Sequence, residues 1–406
     1  MTTNPKEVPG VDGLVTLLRI ALGTSQRTEA ATLSARADGI LAQIRRHRVG
    51  GFLFQRLSRE TLAGFPESFQ NSLRAEALEN LKRGLNRVGE LRKILGRLEA
   101  EQVRVLAFKG PVTELEFYKQ LGIRHVGDLD LLVHPEDLPR ADEFVAELGY
   151  TRSFPPGSLT PVQWRHFIQS HHELNHRDRV RQRVVELQWA LGGFPSISFE
   201  TLWNERRLVA IAGTPTPVVP GELGELYLFV HGAGHRWRVL FWLVDAALLL
   251  QQRSDEQLDR LLSLARTHRV DRALLQGASV ANQILGVRLP PTWHAAAHAD
   301  PTVQWLSEAA VQQIVGSTQA GGGIRTMLQE LHYLWRLQPT ARARLAVLRP
   351  RLLSVDNWSL LPLPDALFWL YYPLAPLLWL VRQFLRRSKQ SPLSSTTRRQ
   401  SPAGHR

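Results

Sequence analysis

"GIRHVGDLDLLVHPED", residues 122–137, sets two aspartates one residue apart at the head of an apolar run. A buried strand gains nothing by opening on two like charges, because adjacent unpaired carboxylates repel. Side chains at i and i+2 of a strand point to the same side. Asp128 and Asp130 therefore share one face, and Leu129, Leu131 and Val133 share the other. The leucine face can pack on helices. The aspartate face must meet water, a cation or a metal. Mg2+ takes carboxylate oxygens together with phosphate oxygens of a substrate. Two such ions roughly 3.5–4 Å apart can clamp the attacking and leaving oxygens of phosphoryl chemistry. The plainer alternative is a pair of surface aspartates bridged to Arg124 or His125, both close by in sequence.

Upstream, "VRVLAF" is a short Val-rich run that ends in Lys109 and Gly110. Pro111 suits a first helical turn, where its missing N–H costs nothing. "PVTELEFYKQL" then reads as a helix. A strand that opens directly into a helix presents backbone N–H groups and Lys109 to an anion, and Gly110 allows close approach of a phosphate. The alternative is a lysine that merely ends a strand and a glycine that merely turns. Downstream, "HPEDLPRADEFVAELGY" reads as a helix ending near Gly149, so the order is strand, helix, strand, helix. Residues 151–163, with three prolines and a glycine, read as a loop or insertion. "HHELNH" and "RVVELQWAL" read as antiparallel strands joined by "RDRVRQ". Glu186 lies between Val185 and Leu187. A charge in so apolar a strand needs a partner or a metal, unless it faces solvent. Beside "GDLDLLV" it can join the aspartates as a ligand or general base.

The flanks are helical. In the N-terminal segment, 1–100, residues 1–10 read as a loose lead, and from Val11 on apolar positions recur three and four apart, with charges on the remaining face that read as solvated surface. Residues 198–353 return to helices, among them the apolar "GELGELYLFVHGAGHRWRVLFWLVDAALLLQQ", and "TQAGGGIRT" breaks them near residue 320. Residues 354–387 are aromatic and Pro-rich, with an uncharged run shorter than the roughly 20 residues of a spanning helix. That segment is expected to pack on the protein or lie on a membrane surface. Residues 388–406 read as a disordered basic tail. The chain has 406 residues and a formal net charge of +13, which attracts nucleotides, nucleic acid or anionic lipid without choosing among them. It has no cysteine, which excludes disulfides and thiolate metal sites and fits a reducing, cytoplasmic setting. The N-terminus lacks the pattern of a secretion signal.

The central block resembles the uncharacterised nucleotidyltransferase family of bacteria, within the polymerase-beta-like nucleotidyltransferase superfamily. The shared pattern is Lys109-Gly110 after a strand, Tyr118, Arg124, Gly-Asp-x-Asp-Leu-Leu-Val at 127–133, and Gly149-Tyr150. The resemblance continues through "HHEL", "VELQW" and "HGAGHRWRVLFWLVDAALLL", over about residues 10–385. It implies an α+β chain with a mixed-sheet catalytic core at 101–197 and helical segments on either side. It implies that Asp128, Asp130 and Glu186 hold Mg2+ (two ions, with Mn2+ as a substitute) and are catalytic. The reaction implied is attack of an acceptor on the α-phosphate of an NTP, with pyrophosphate leaving. Where the superfamily usually has Gly-Ser this chain has Lys109-Gly110, and where relatives often carry His it has Gln188.

Other groups complete the expected site. Arg124 is expected to neutralise triphosphate charge, and His172 to face the cleft as an acceptor-side base able to titrate near neutral pH. His235 and Arg236 are expected to touch substrate. His231 and His235 are four apart, but no Glu follows His231 and no third ligand is evident, so zinc is not expected. No Walker loop, G-x-G-x-x-G or zinc finger occurs. Specific DNA binding is not expected, and the acceptor is left open among a small molecule, a peptide or protein side chain, and RNA. Two other readings stand: a non-catalytic nucleotide-binding or regulatory protein with the same fold, and a membrane-surface or interaction protein.

Overall fold

The computed structural model describes residues 9–25, 33–181, 183–316 and 324–390. Most of the expected loose lead, the break in "TQAGGGIRT" up to residue 323, and the expected disordered tail from residue 391 lie outside them. The chain divides into two compact units. One runs to Gly157 and resumes over His172–Leu345; the other combines Ser158–His171 with the residues from Ala346 on.

The first unit is built on a seven-stranded mixed sheet. Its strands are β1 (Val105–Phe108), β2 (Asp128–Val133), β3 (Thr151–Phe154), β4 (Glu173–Asp178), β5 (Arg183–Gln188), β6 (Arg207–Ile211) and β7 (Thr214–Val218). Their spatial order is β3-β4-β5-β2-β1-β7-β6. β1 and β2 are antiparallel, whereas β2 with β5 and β1 with β7 are parallel. The predicted hairpin is present as β4–β5. Leu129, Leu131 and Val133 are buried, as their shared face predicts.

Two strand regions differ from the sequence reading. β3 falls where a loop was expected, and β6–β7 fall in a stretch read as helical. The second is a two-residue hairpin through Ala212 and Gly213, both at positive φ, the geometry that matches strand twist. Two prolines in "TPTPV" hide β7, since proline argues against a strand interior. They are tolerated because β7 meets β1 only at its end, through Ala107 and Val218.

The helix Glu67–Ala100 is the longest of the first unit's described helices. Its polar face is not simply solvated, contrary to the expectation. Asn80, Arg87 and Glu90 are buried. Asn80 and Arg87 hydrogen-bond the loop that leads into β2, and Glu90 accepts a hydrogen bond from the Tyr150 hydroxyl at 2.8 Å and pairs with Arg183. Spacings of seven and three keep these residues on one side of the helix.

The apolar stretch read as one helix is two, Gly221–Gly234 and Leu240–Gln252. Between them Arg236 and Trp237 both take positive φ. The Trp237 indole is fully buried, and a Cβ added at Gly232 or Gly277 would come within 2.4 Å of it. Gly232→Ala is therefore expected to cost about 1–3 kcal/mol by overpacking. Denaturant midpoints of the two proteins would show it; an unchanged midpoint would mean that the indole slot is soft.

In the second unit the helix Pro161–Ser170 opens on a capping box made by Thr160 and Gln163. The Thr160 hydroxyl donates to Asp365 at 2.5 Å, and His166 stacks on Phe368. Among the described residues no helix is long and apolar enough to cross a membrane.

Candidate active site

β2 and β5 run parallel with Asp130 opposite Glu186 and Asp128 opposite Val184. Residues opposite one another in a sheet point to the same face, so the register alone brings Asp130 beside Glu186 and sets Asp128 one step along. On the other side of β2, Phe108 pairs with Asp130. Alternation would send the next residue to the opposite face, but the strand ends there and the backbone turns back toward that carboxylate. That residue is Lys109, whose Nζ lies 2.5 Å from Asp130 Oδ1.

Lys109 adopts φ 53° and ψ −156°. That region is almost reserved for glycine and costs on the order of 1–3 kcal/mol. Gly110 follows at φ 45°, and a Cβ there would approach the Asp128 carbonyl to 3.3 Å. The strand is thus turned sharply so that the ammonium overhangs the acids. The helix that follows is one α turn, Gly110–Thr113, continued by a π turn, Glu114–Tyr118. It is shorter than the sequence suggested, so its macrodipole is small. The lysine charge, more than a helix N-terminus, is what faces an anion here.

Gln188 stands at the position where the resemblance implies a histidine. Its amide donates to Asp130 Oδ1 at 3.1 Å and to Glu186 Oε2 at 3.3 Å. It ties the two carboxyl groups together, which a histidine with one free N–H could not do to both.

Burial raises the Asp130 pKa to about 6, with Asp128 adding to the rise while Lys109 opposes it. Burial and then the charge of Asp130 push Glu186 to about 9. Burial works against the Lys109 ammonium, but Asp130, Tyr227 and Glu186 outweigh it and its pKa is raised. At neutral pH the ionised Asp130 and the ammonium compensate one another, and Glu186 keeps its proton. A carboxyl group whose folded pKa lies above its unfolded value stabilises the fold at low pH, and that contribution is lost as pH rises through the folded pKa. For Glu186 the window runs from about 4.5 to about 9. Glu186→Gln is expected to flatten the fall in Tm across that range, read by calorimetry without divalent cations. Parallel Tm–pH curves for the two proteins would contradict it.

The long helix holds the loop before Asp128. Asn80 Nδ2 lies 3.4 Å from the carbonyls of Gly122 and Ile123, Arg83 meets His125 Nδ1 at 2.8 Å, and Arg87 donates to the Gly127 carbonyl at 2.7 Å. Gly122 sits at φ 87° with its backbone against Leu81, where a Cβ would come within 2.7 Å. Arg124 is anchored more deeply. Its N–H donates to Glu114 at 2.8 Å and its Nε to Asp245 at 2.9 Å, while Tyr118 donates to the other oxygen of Asp245 at 2.6 Å. Arg124 lines the cleft, yet its charge is already paired with a buried carboxylate. Its geometry suits shaping the wall more than gripping a triphosphate.

The cleft encloses about 410 Å³, within the range of small-ligand sites. It is lined by Lys109, Gly110, Arg124, Asp128, Asp130, Glu186, His172 and His235. Of the residues expected at the site, the structure leaves out Arg236. The two consecutive positive-φ residues turn that side chain away, and its guanidinium lies over the Tyr333 ring. Arg238 lines the cleft instead, with Tyr227, His231, Phe241, Trp242, Glu173 and Arg48. His235 and Trp242 stack with centroids 5.2 Å apart. Burial, then Arg238 and Lys109, lower His235 to about 4, and burial likewise lowers His172. Both imidazoles are neutral at pH 7. Arg48, out on the helical flank, carried no signal in the sequence; Arg238 and Trp242 sat visibly in "HRWRVLFW", but their direction depends on the break at 236–237.

Do the acids suit the divalent cation that the resemblance implies? Among the described residues no three His, Cys, Asp or Glu side chains form a ready cage for an ion. Mg2+ does not need one, because it binds through one or two carboxylates and completes its shell with water and substrate phosphate. Asp130 and Glu186 stand side by side and Asp128 lines the same cleft, a set of carboxylates of the kind that requirement names.

An α+β protein with a mixed sheet and a cleft that sets carboxylates against Lys and Arg side chains is the class that the geometry defines. The sequence model of a family described as an uncharacterised nucleotidyltransferase matches residues 34–286, more than half of the chain, and the chain belongs to that family. The match is narrower than the similarity read from the sequence, and it contains all the strands among the described residues and the cleft. By family the protein is a transferase of nucleotidyl groups. No curated protein and no solved structure matches.

Proposed function

We propose that the protein transfers a nucleoside monophosphate from an NTP to an acceptor, with release of pyrophosphate, on a polymerase-beta-like core. The observation that carries this reading is the register of β2 and β5, which puts Glu186 beside Asp130 on the face that Lys109 overhangs. Asp128, Asp130 and Glu186 would hold Mg2+, which when bound supplies charge neutralisation and alignment of the triphosphate. Lys109 exchanges its pairing with Asp130 for a phosphate oxygen. Gly110 leaves the backbone open beside it. The stacked His235 and Trp242 offer a flat, neutral surface to a base. Glu186, protonated in the resting cleft, must lose its proton before it can act as ligand or base, and the incoming positive charge favours that loss. His172, neutral and at the rim, is the candidate to accept the proton of an acceptor hydroxyl. That acceptor is a small molecule, a protein side chain or RNA.

The test is incubation of each of the four NTPs, labelled at the α-phosphate, with the protein, Mg2+ or Mn2+ and a cell extract. Label is expected on one class of acceptor with pyrophosphate in equal amount, and not with Asp128→Asn. Label transfer that survives that substitution would remove the carboxylates from the reaction. A nucleotide-binding role without turnover would appear as NTP binding with no pyrophosphate.

A further inference from the structure

The helix Tyr371–Gln390 has two apolar faces. Tyr371, Ala375 and Leu378 are buried. On the opposite side Tyr372, Pro373, Pro376, Leu377, Leu380, Val381 and Leu385 are exposed. Residues 372, 376 and 380 form one i, i+4 row and 373, 377, 381 and 385 the next, so the two rows make a contiguous apolar surface along the helix. Leu377 and Leu380 are each 56% exposed, and Trp369, just before the helix, is 62% exposed. Single exposed leucines are unremarkable, but a contiguous apolar stripe marks a surface that something covers.

The adjoining sequence indicates what covers it. Arg382 is paired with Asp356, but from Arg386 to Arg406 there are six further Lys or Arg and no Asp or Glu. A second copy of this chain carries the same formal charge of +13 and is repelled at long range. An anionic lipid surface attracts it, and each basic residue near such a surface adds to the attraction. Pro376 also leaves the Tyr372 carbonyl without its helical N–H partner. Water at a lipid headgroup can satisfy that carbonyl, whereas the hydrocarbon core cannot. We infer that this helix lies in the interface of an anionic bilayer, with Leu377, Leu380 and the Trp369 ring inserted. The inference does not depend on the reaction proposed above, because none of these residues lines the cleft.

The test is sedimentation of the full chain with vesicles of phosphatidylcholine alone or mixed with phosphatidylglycerol. Binding to the mixed vesicles is expected to be about tenfold stronger or more and to weaken with salt. Leu377→Glu/Leu380→Glu should leave the melting curve in place, since both positions face out, and should return the protein to the supernatant. The parent chain alone can overturn the inference, by staying in the supernatant with phosphatidylglycerol present. A double variant that folds and still pellets would overturn it too. So would a lipid-free dimer, seen by light scattering, that the double variant abolishes while the parent ignores vesicles; the stripe would then join two copies.

Discussion

Asp245→Ala should destabilise the protein by about 3–5 kcal/mol, the range for removing one partner of a buried ion pair. Arg124 and Asp245 are almost wholly enclosed, with side-chain exposures of 7% and 1%. The Tyr118 hydroxyl donates to the same carboxylate. Deleting the carboxylate strands a guanidinium and a phenol in an apolar setting against Phe241. Arg124 belongs to the loop at 122–127, which leads directly into Asp128, so a stranded guanidinium disturbs the segment that positions that carboxylate. The stability loss should therefore come with poorer nucleotide binding even in the fraction that stays folded. A second arm separates charge from shape. Tyr118→Phe/Arg124→Met/Asp245→Leu replaces all three polar groups with apolar ones, and well-packed replacements of buried ion pairs are often neutral or stabilising. Chemical denaturation of the single and triple variants is the measurement. A triple variant as unstable as Asp245→Ala would mean that the loss comes from packing and not from a stranded charge.

That network also shows where reading the sequence stopped. The D-x-D strand, the strand before it, the hairpin and Glu186 are all legible, because each is a local pattern of alternation ended by turn residues. The meeting of Asp130 with Glu186 follows once β2 and β5 are neighbours. Arg124 was equally visible, but its role was not. Whether an arginine faces a ligand or a buried carboxylate depends on Asp245, 121 positions away, and no local pattern carries that. Arg236 failed for a nearer reason: two successive positive-φ residues are invisible in "HRWRV", where neither is glycine. The buried polar residues of Glu67–Ala100 resemble surface charge in every local respect. Only their partners in the loop at 122–127 and at Tyr150 distinguish them.

The largest effect on activity is expected from Asp130→Asn. The substitution keeps the volume and the Gln188 contact but removes the charge that pairs with Lys109 and that would hold a divalent cation. Pre-organised charge in a dry site contributes on the order of 10²–10³ in rate per group, so kcat for label transfer should fall by at least about that factor. Lys109→Met separates the two duties of the carboxylate. Lys109 holds down the pKa of Asp130 and of Glu186. Without it both acids stay protonated to higher pH. The ionised pair then exists only further up the scale, and the acid limb of the kcat/KM profile should move upward. KM for NTP should rise as well, since a phosphate oxygen loses its cation. Asp130→Asn should move the limb the other way, because Glu186 still titrates and has lost the neighbouring charge that raises its pKa. If the limb stays in place in Lys109→Met while kcat falls, the lysine serves phosphate alone and the carboxylates are tuned by burial. If Asp130→Asn transfers label at the parental rate, the ion pair with Lys109 is structural and the reaction centre lies elsewhere in the cleft.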